Sequence, residues 1–183
     1  KDALYDYRDP RWRIEHAQVI HPDDYELFNE KIIPSVQPTH ATSDMYWLYD
    51  RVGKNRGKYS YAWGDLLKKS GTIAFGTDFP VEKINPIMTF YSAVFRKDAE
   101  GFPEEGFQIE NGVNRADALL GMTYFGAYAN FEENEKGSIE KGKFADFIIL
   151  DTDLIKDAEN KVKNAKVVAT FLNGNLVFSR RFN

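Results

Sequence analysis

The order of three short apolar runs and three amphipathic stretches limits this chain more than any other feature. Arg13-Ile14-Glu15-His16-Ala17-Gln18 alternates in polarity, Ile32-Ile33-Pro34-Ser35-Val36 is apolar apart from a serine, and Ile73 to Gly76 forms a third run. Each reads as a strand, at 13–18, 32–36 and 73–76. Stretches 23–31, 62–70 and 86–96 read as helices. In the first, Pro22, Asp23 and Asp24 suit the opening turn and Leu27 and Phe28 supply the apolar face. In the second, Leu66 and Leu67 are the buried pair, and Gly71 is the stop. Pro86 opens the third. The predicted order is β-α-β-α-β-α, that of parallel strands joined by crossovers, and the class is α/β.

The rest of the chain is less uniform. Lys1 to Tyr7 has room for about two helical turns, ended at Asp9-Pro10. Residues 41–59 are aromatic and polar, and read either as a lid or as a helix packed at the strand ends and followed by a solvated turn. Asn114 caps a helix to about Met122, and a short one follows near Phe125 to Ala129. After Gly137 the pattern changes, which divides the chain into 1–136 and 137–183. Gly137 to Gly142 reads as turn-strand-turn, Ala145 to Leu150 and Val167 to Leu172 as strands, and Asn173-Gly174 as the turn into Leu176-Val177-Phe178.

Composition excludes several functions. With no cysteine among 183 residues there is no disulfide, thiolate ligand or cysteine nucleophile. A net charge of −4, spread along the chain, leaves no nucleic-acid footprint. No apolar run reaches the roughly 20 residues of a membrane span. No signal peptide opens the chain, and a cytoplasmic location is the expectation.

Each predicted strand ends near a residue able to do chemistry: His16, His40 or Asp78. The carboxyl ends of parallel strands are where α/β proteins keep their sites. Imidazole and carboxylate are metal ligands; a carboxylate beside an activated water can also move its proton, and a histidine can hydrogen-bond a developing oxyanion. No Gly-x-Ser-x-Gly turn and no phosphate-binding glycine loop is present. By side-chain alternation His16 shares the face of Ile14, and Glu15 points away as a partner for an arginine. His21 reads as a surface residue, Glu82 as a solvated loop position with substrate contact as the alternative, Trp63 as core, and Trp47 as a candidate pocket wall.

Arg13 to Gln18, Gln37-Pro38-Thr39-His40 and Gly76-Thr77-Asp78-Phe79-Pro80-Val81-Glu82 together resemble three successive strand ends of the metal-dependent amidohydrolase superfamily. The nearest branch is the one similar to N-substituted formamide deformylases. Gly137 to Phe147 and Val168 to Val177 resemble that family's return to its small β-sandwich and the closing hairpin. The resemblance implies a (β/α)8 TIM-type barrel, of which this chain supplies about strands six to eight, plus part of a composite β-sandwich. It implies that His16 is a metal ligand, that Asp78 is both metal ligand and general base and acid, and that His40 contacts substrate. The metal would be divalent, zinc by expectation, and the substrate a small amide-type molecule whose C–N bond is hydrolysed by metal-activated water. The family's His-x-His pair, its bridging ligand and its fifth-strand histidine have no counterpart here. The chain therefore looks like the C-terminal portion of such an enzyme, inactive alone, that self-associates or pairs with a missing N-terminal half. The alternative is a truncated fragment that folds without catalysing anything.

Overall fold

A computed structural model of the chain describes residues 9–180. The predicted segment at Lys1 to Tyr7 lies outside them. Strands β1 (Trp12–Glu15), β2 (Ile32–Val36) and β3 (Ala74–Phe75) form a sheet in that order, parallel on both flanks of β2. Helices α1 (Pro38–Asp44), α2 (Leu48–Gly57) and α3 (Trp63–Ser70) lie between β2 and β3, and α4 (Pro86–Phe95) follows β3. Hydrogen bonds from Trp12 N–H to Lys31 and from His16 N–H to Ser35 turn the odd-numbered residues of β2 toward β1. Even-numbered ones face β3, where Gly76 N–H reaches Val36. Pro34 is therefore on the β3 side, ahead of a ladder that begins only at Ser35 and Ala74. Its missing N–H leaves no rung empty.

Three expectations change and one alternative is decided. The segment at 23–31 is a 3-10 helix, Pro22–Leu27, because Asn29 ends it: its side chain accepts from Lys31 N–H and its carbonyl from Ile32 N–H. Strand β1 stops at Glu15, where His16 and Ala17 take positive φ of 65° and 43°. Residues 41–59 are largely helical, broken at Gly53, so the helix reading holds over the open lid. No strand forms between Gly137 and Gly142, where Ile139 is 85% exposed and pairs with no neighbour.

Beyond α4, helices α5 (Arg115–Met122) and α6 (Tyr124–Ala129) return to the sheet. Gly121 lies so close to the Phe75 ring that a Cβ there would meet it at 2.8 Å. A second sheet holds β4 (Phe147–Leu150), β5 (Val167–Leu172) and β6 (Asn175–Ser179), antiparallel in that order, with α7 (Glu159–Lys163) between β4 and β5. Asn173 and Gly174, both at positive φ, make the hairpin turn the sequence announces. Leu150, Leu154 and Val162 fasten this portion to the main core, while Leu172, Leu176, Val177 and Phe178 stay exposed. Among the described residues no helix is long and apolar enough to cross a membrane.

The main core gathers Val36, Leu48, Trp63, Leu66, Ile73 and Phe90, all essentially inaccessible. Arg96 is buried with them, in the left-handed conformation that ends α4. Burial pushes its guanidinium down to about 10, with Glu110 and Tyr61 acting the other way. It donates to the carbonyls of Phe107 at 2.9 Å and Tyr61 at 3.1 Å, and so pins two loops with one side chain. Arg96→Ala strands both carbonyls and opens a cavity. It should cost about 3 kcal/mol, read as a lower urea midpoint at unchanged slope.

Candidate functional site

The three residues singled out from the sequence meet at the carboxyl end of the parallel sheet. The turn after β1 places His16: its N–H closes the ladder on Ser35 at 2.8 Å, and the positive φ then carries the ring away from the strand. The left-handed turn, rather than strand alternation, thus positions this side chain. His16 Nδ1 lies 2.9 Å from Gln37 Oε1. His40 sits in the first turn of α1, which Pro38 opens, and its side chain is 7% exposed. The two imidazoles stack at 6.0 Å, 20° apart.

Asp78 stands three residues beyond β3 at φ 55°, with its carboxylate 39% exposed. Its backbone carbonyl accepts from Val81 N–H, and Thr77 Oγ1 accepts from Phe79 N–H, which fixes the turn. Asp78 Oδ2 is 4.0 Å from His40 Nε2. That nitrogen is buried and has no hydrogen-bond partner.

Several neighbours escaped the sequence reading. Gln18 Nε2 lies 3.3 Å from His40 Nδ1 and 3.4 Å from Asp44 Oδ2. The Tyr61 hydroxyl donates to the same Asp44 oxygen at 2.5 Å, and Tyr61 N–H donates to the Gln18 carbonyl at 2.7 Å. Burial first, then Asp44, hold the Tyr61 hydroxyl far above its ordinary range, so it remains a donor. Gln18 had a signal, since it lies in the same run as His16. Asp44 and Tyr61 had none, because only the packing of α1 against the segment before α3 joins them.

Glu82 is a correction. Its side chain is 17% exposed rather than solvated, because the Ser43 hydroxyl donates to its Oε1 at 2.5 Å. The same oxygen is 4.0 Å from His40 Nε2. Other expectations hold: His21 is exposed and Trp63 is core. Glu15 pairs with Arg13 at 3.5 Å as expected, but its side chain is 54% exposed and so is not turned into the helix layer. Among the described residues no group of three or more metal-ligating side chains is arranged to hold an ion.

Residues 1–178 match the model of the amidohydrolase family. The chain is 36% identical over 173 residues to the protein LONG AFTER FAR-RED 3 of Arabidopsis thaliana, covering 93% of this chain and 29% of that one. It is 30% identical over 115 residues to the N-substituted formamide deformylase of Arthrobacter pascens, covering 63% and 21%. An uncharacterized metal-dependent hydrolase from Pyrococcus horikoshii OT3 superposes with a TM-score of 0.69 at 35% identity, covering 81% of this chain and 30% of that one. This chain thus spans under a third of each relative's length. With His16, His40 and Asp78 converging at one sheet end, and the match running nearly the whole length, the chain belongs to the amidohydrolase family.

Proposed function

We propose that this chain is the C-terminal part of a metal-dependent hydrolase that cleaves the C–N bond of a small amide or formamide-type substrate. In this reading the parallel sheet corresponds to about strands six to eight of a (β/α)8 barrel within 1–136, and 137–183 to strands of a composite β-sandwich. The observation that carries the reading is the orphaned, buried Nε2 of His40, 4.0 Å from carboxylates on two sides. A buried donor left unpaired is costly, and a substrate oxygen would satisfy it.

The donor chemistry fits part of a metal centre. Gln37 Oε1 can only accept, so His16 carries its proton on Nδ1 and leaves the Nε2 lone pair free. Gln18 Nε2 can only donate, so His40 accepts on Nδ1 and carries its proton on Nε2. His16 through Nε2 and Asp78 would hold a divalent metal such as zinc, with the remaining ligands supplied from outside this chain. Bound there, the metal would lower the pKa of water toward about 7. Asp78 would take a proton from the attacking water and return it to the leaving nitrogen. His40, kept in one tautomer by Gln18, would donate from Nε2 to the carbonyl oxygen as charge develops on it.

The open flanks support a partner. Trp12 and Ile14 on β1 are 57% and 44% exposed, and Leu176, Val177 and Phe178 on β6, at the edge of the second sheet, are exposed as well. Such edges recruit other strands, and the missing portion of the parent enzyme is the partner we propose in the cell.

Ring 15N spectra recorded above the histidine titration range should show opposite tautomers, Nδ1–H for His16 and Nε2–H for His40; two Nε2–H rings would remove His16 as a ligand oriented by Gln37. In the parent enzyme, Asp78→Asn should lower kcat by roughly a thousandfold with little change in unfolding midpoint. Retained turnover would take Asp78 out of the mechanism. Produced alone, the 183-residue chain should self-associate at micromolar concentration, and light scattering after gel filtration would read a mass above one chain.

A further inference from the structure

Beside the His40 corner, between α1 and α4, lies a cleft of about 260 Å³. Thr39 and Ser43 of α1 and Tyr46 just beyond it form one side, and Met88 of α4 adds an apolar patch. Glu82 and Lys83, from the loop after β3, connect the cleft to Asp78. Asp98 and Glu100, from the loop after α4, complete it. The volume is below the roughly 300 Å³ at which whole-ligand pockets begin, and suits one substituent.

The polar groups lining this cleft are mainly acceptors. Three carboxylates, those of Glu82, Asp98 and Glu100, face one ammonium, that of Lys83. Apart from that of Thr39, the hydroxyls lining the cleft are already engaged. Ser43 donates to Glu82, Tyr46 donates to Asp98, and Thr42 and Ser92 bond each other at 3.2 Å. Asp98 is also gripped through Oδ1 by the N–H groups of Glu100 at 3.0 Å and Phe102 at 2.9 Å. Burial opposes its ionisation, and the Tyr46 hydroxyl with these N–H groups outweighs burial and holds the carboxyl below its ordinary value. Asp98 is thus a fixed negative charge at neutral pH.

One buried group points to a ligand independently of the carboxylates. Thr39, 9% exposed and lining the cleft, has a hydroxyl with no hydrogen-bond partner. Orphaned buried polar atoms are uncommon in native proteins and call for an explanation, which a bound group would supply here.

We propose that this cleft is the substrate's specificity subsite and that it takes a positively charged, hydrogen-bond-donating substituent, an ammonium or a guanidinium. The inference rests on the hydrolase reading: with the scissile carbonyl at His40 and Asp78, the charged group enters between Glu82 and Glu100, and its aliphatic stem lies along Met88. A neutral group of the same shape brings donors but no positive charge to offset the carboxylates. An anionic one is repelled.

The test is an amide NMR titration of the 183-residue chain at physiological ionic strength, where loose surface attraction is screened. The probes are n-propylguanidinium, its neutral isostere n-propylurea, and butyrate. The guanidinium should shift the signals of Ser43, Glu82, Lys83 and Glu100 saturably, at least tenfold more tightly than the urea, and butyrate should shift none. Glu82→Gln should weaken guanidinium binding about tenfold. Glu100→Gln, at an exposed side chain, should weaken it severalfold and decides the matter if the first variant unfolds. Equal binding of the urea, shifts spread over other acidic surfaces, or indifference to the substitutions would overturn the proposal. Because binding is read without metal or turnover, its failure leaves the hydrolase reading standing, and loss of the hydrolase reading through Asp78→Asn leaves the binding result intact.

Discussion

Parallel pairing on both flanks of β2 is the constraint from which the rest follows. A parallel ladder brings all carboxyl ends to one edge, so three segments distant in sequence deliver their exit turns to the same place. Trp12 against Ile32 and Ser35 against Ala74 set the offsets. Ile33 and Val36, fully buried, hold β2 against the helices that make the crossovers possible. Slipping either ladder by one residue would move His16 or Asp78 away from His40.

A polar chain runs from the core to that edge. Arg96 donates to the Tyr61 carbonyl, the Tyr61 hydroxyl donates to Asp44, and Gln18 bridges Asp44 and His40. Asp44 accepts from two donors and so needs no cation beside it. The bridge between Val19 and Ser60 holds Gln18 in place from the backbone side. His40 is thereby held through Nδ1 from the protein side, which is how a buried imidazole keeps one tautomer.

Apolar periodicity made β2, β3, α3, α4 and α5 legible, because each buries residues whose spacing shows in the sequence; β1 and the terminal hairpin, with β1 and β6 exposed along their length, were legible from alternation and from the Asn173-Gly174 turn. The same logic failed where side chains compete with the backbone. At His21 and Asn29, side-chain acceptors take backbone N–H groups and shorten an expected α-helix to a 3-10 turn. His16, His40 and Asp78 were readable because chemistry-bearing residues recur at strand ends. Glu82 was misread as solvated because its cover, Ser43, comes from another crossover, 39 residues away. Asp44 and Tyr61 are site residues only through packing, which no local pattern encodes.

The positive φ values of His16 and Asp78 carry an evolutionary consequence. Left-handed backbone disfavours most L-residues, and histidine, asparagine and aspartate are among the few side chains enriched there. At both positions the backbone sieves residue identity before any ligand does. Drift can sample aspartate or asparagine at these turns cheaply. Branched residues meet a steric barrier first, unless the turn itself is rebuilt. The side chains open to descendants of this segment are therefore narrowed at these two turns by conformation as well as by chemistry, whereas the helical residues of α1 and α4 carry no such backbone restriction.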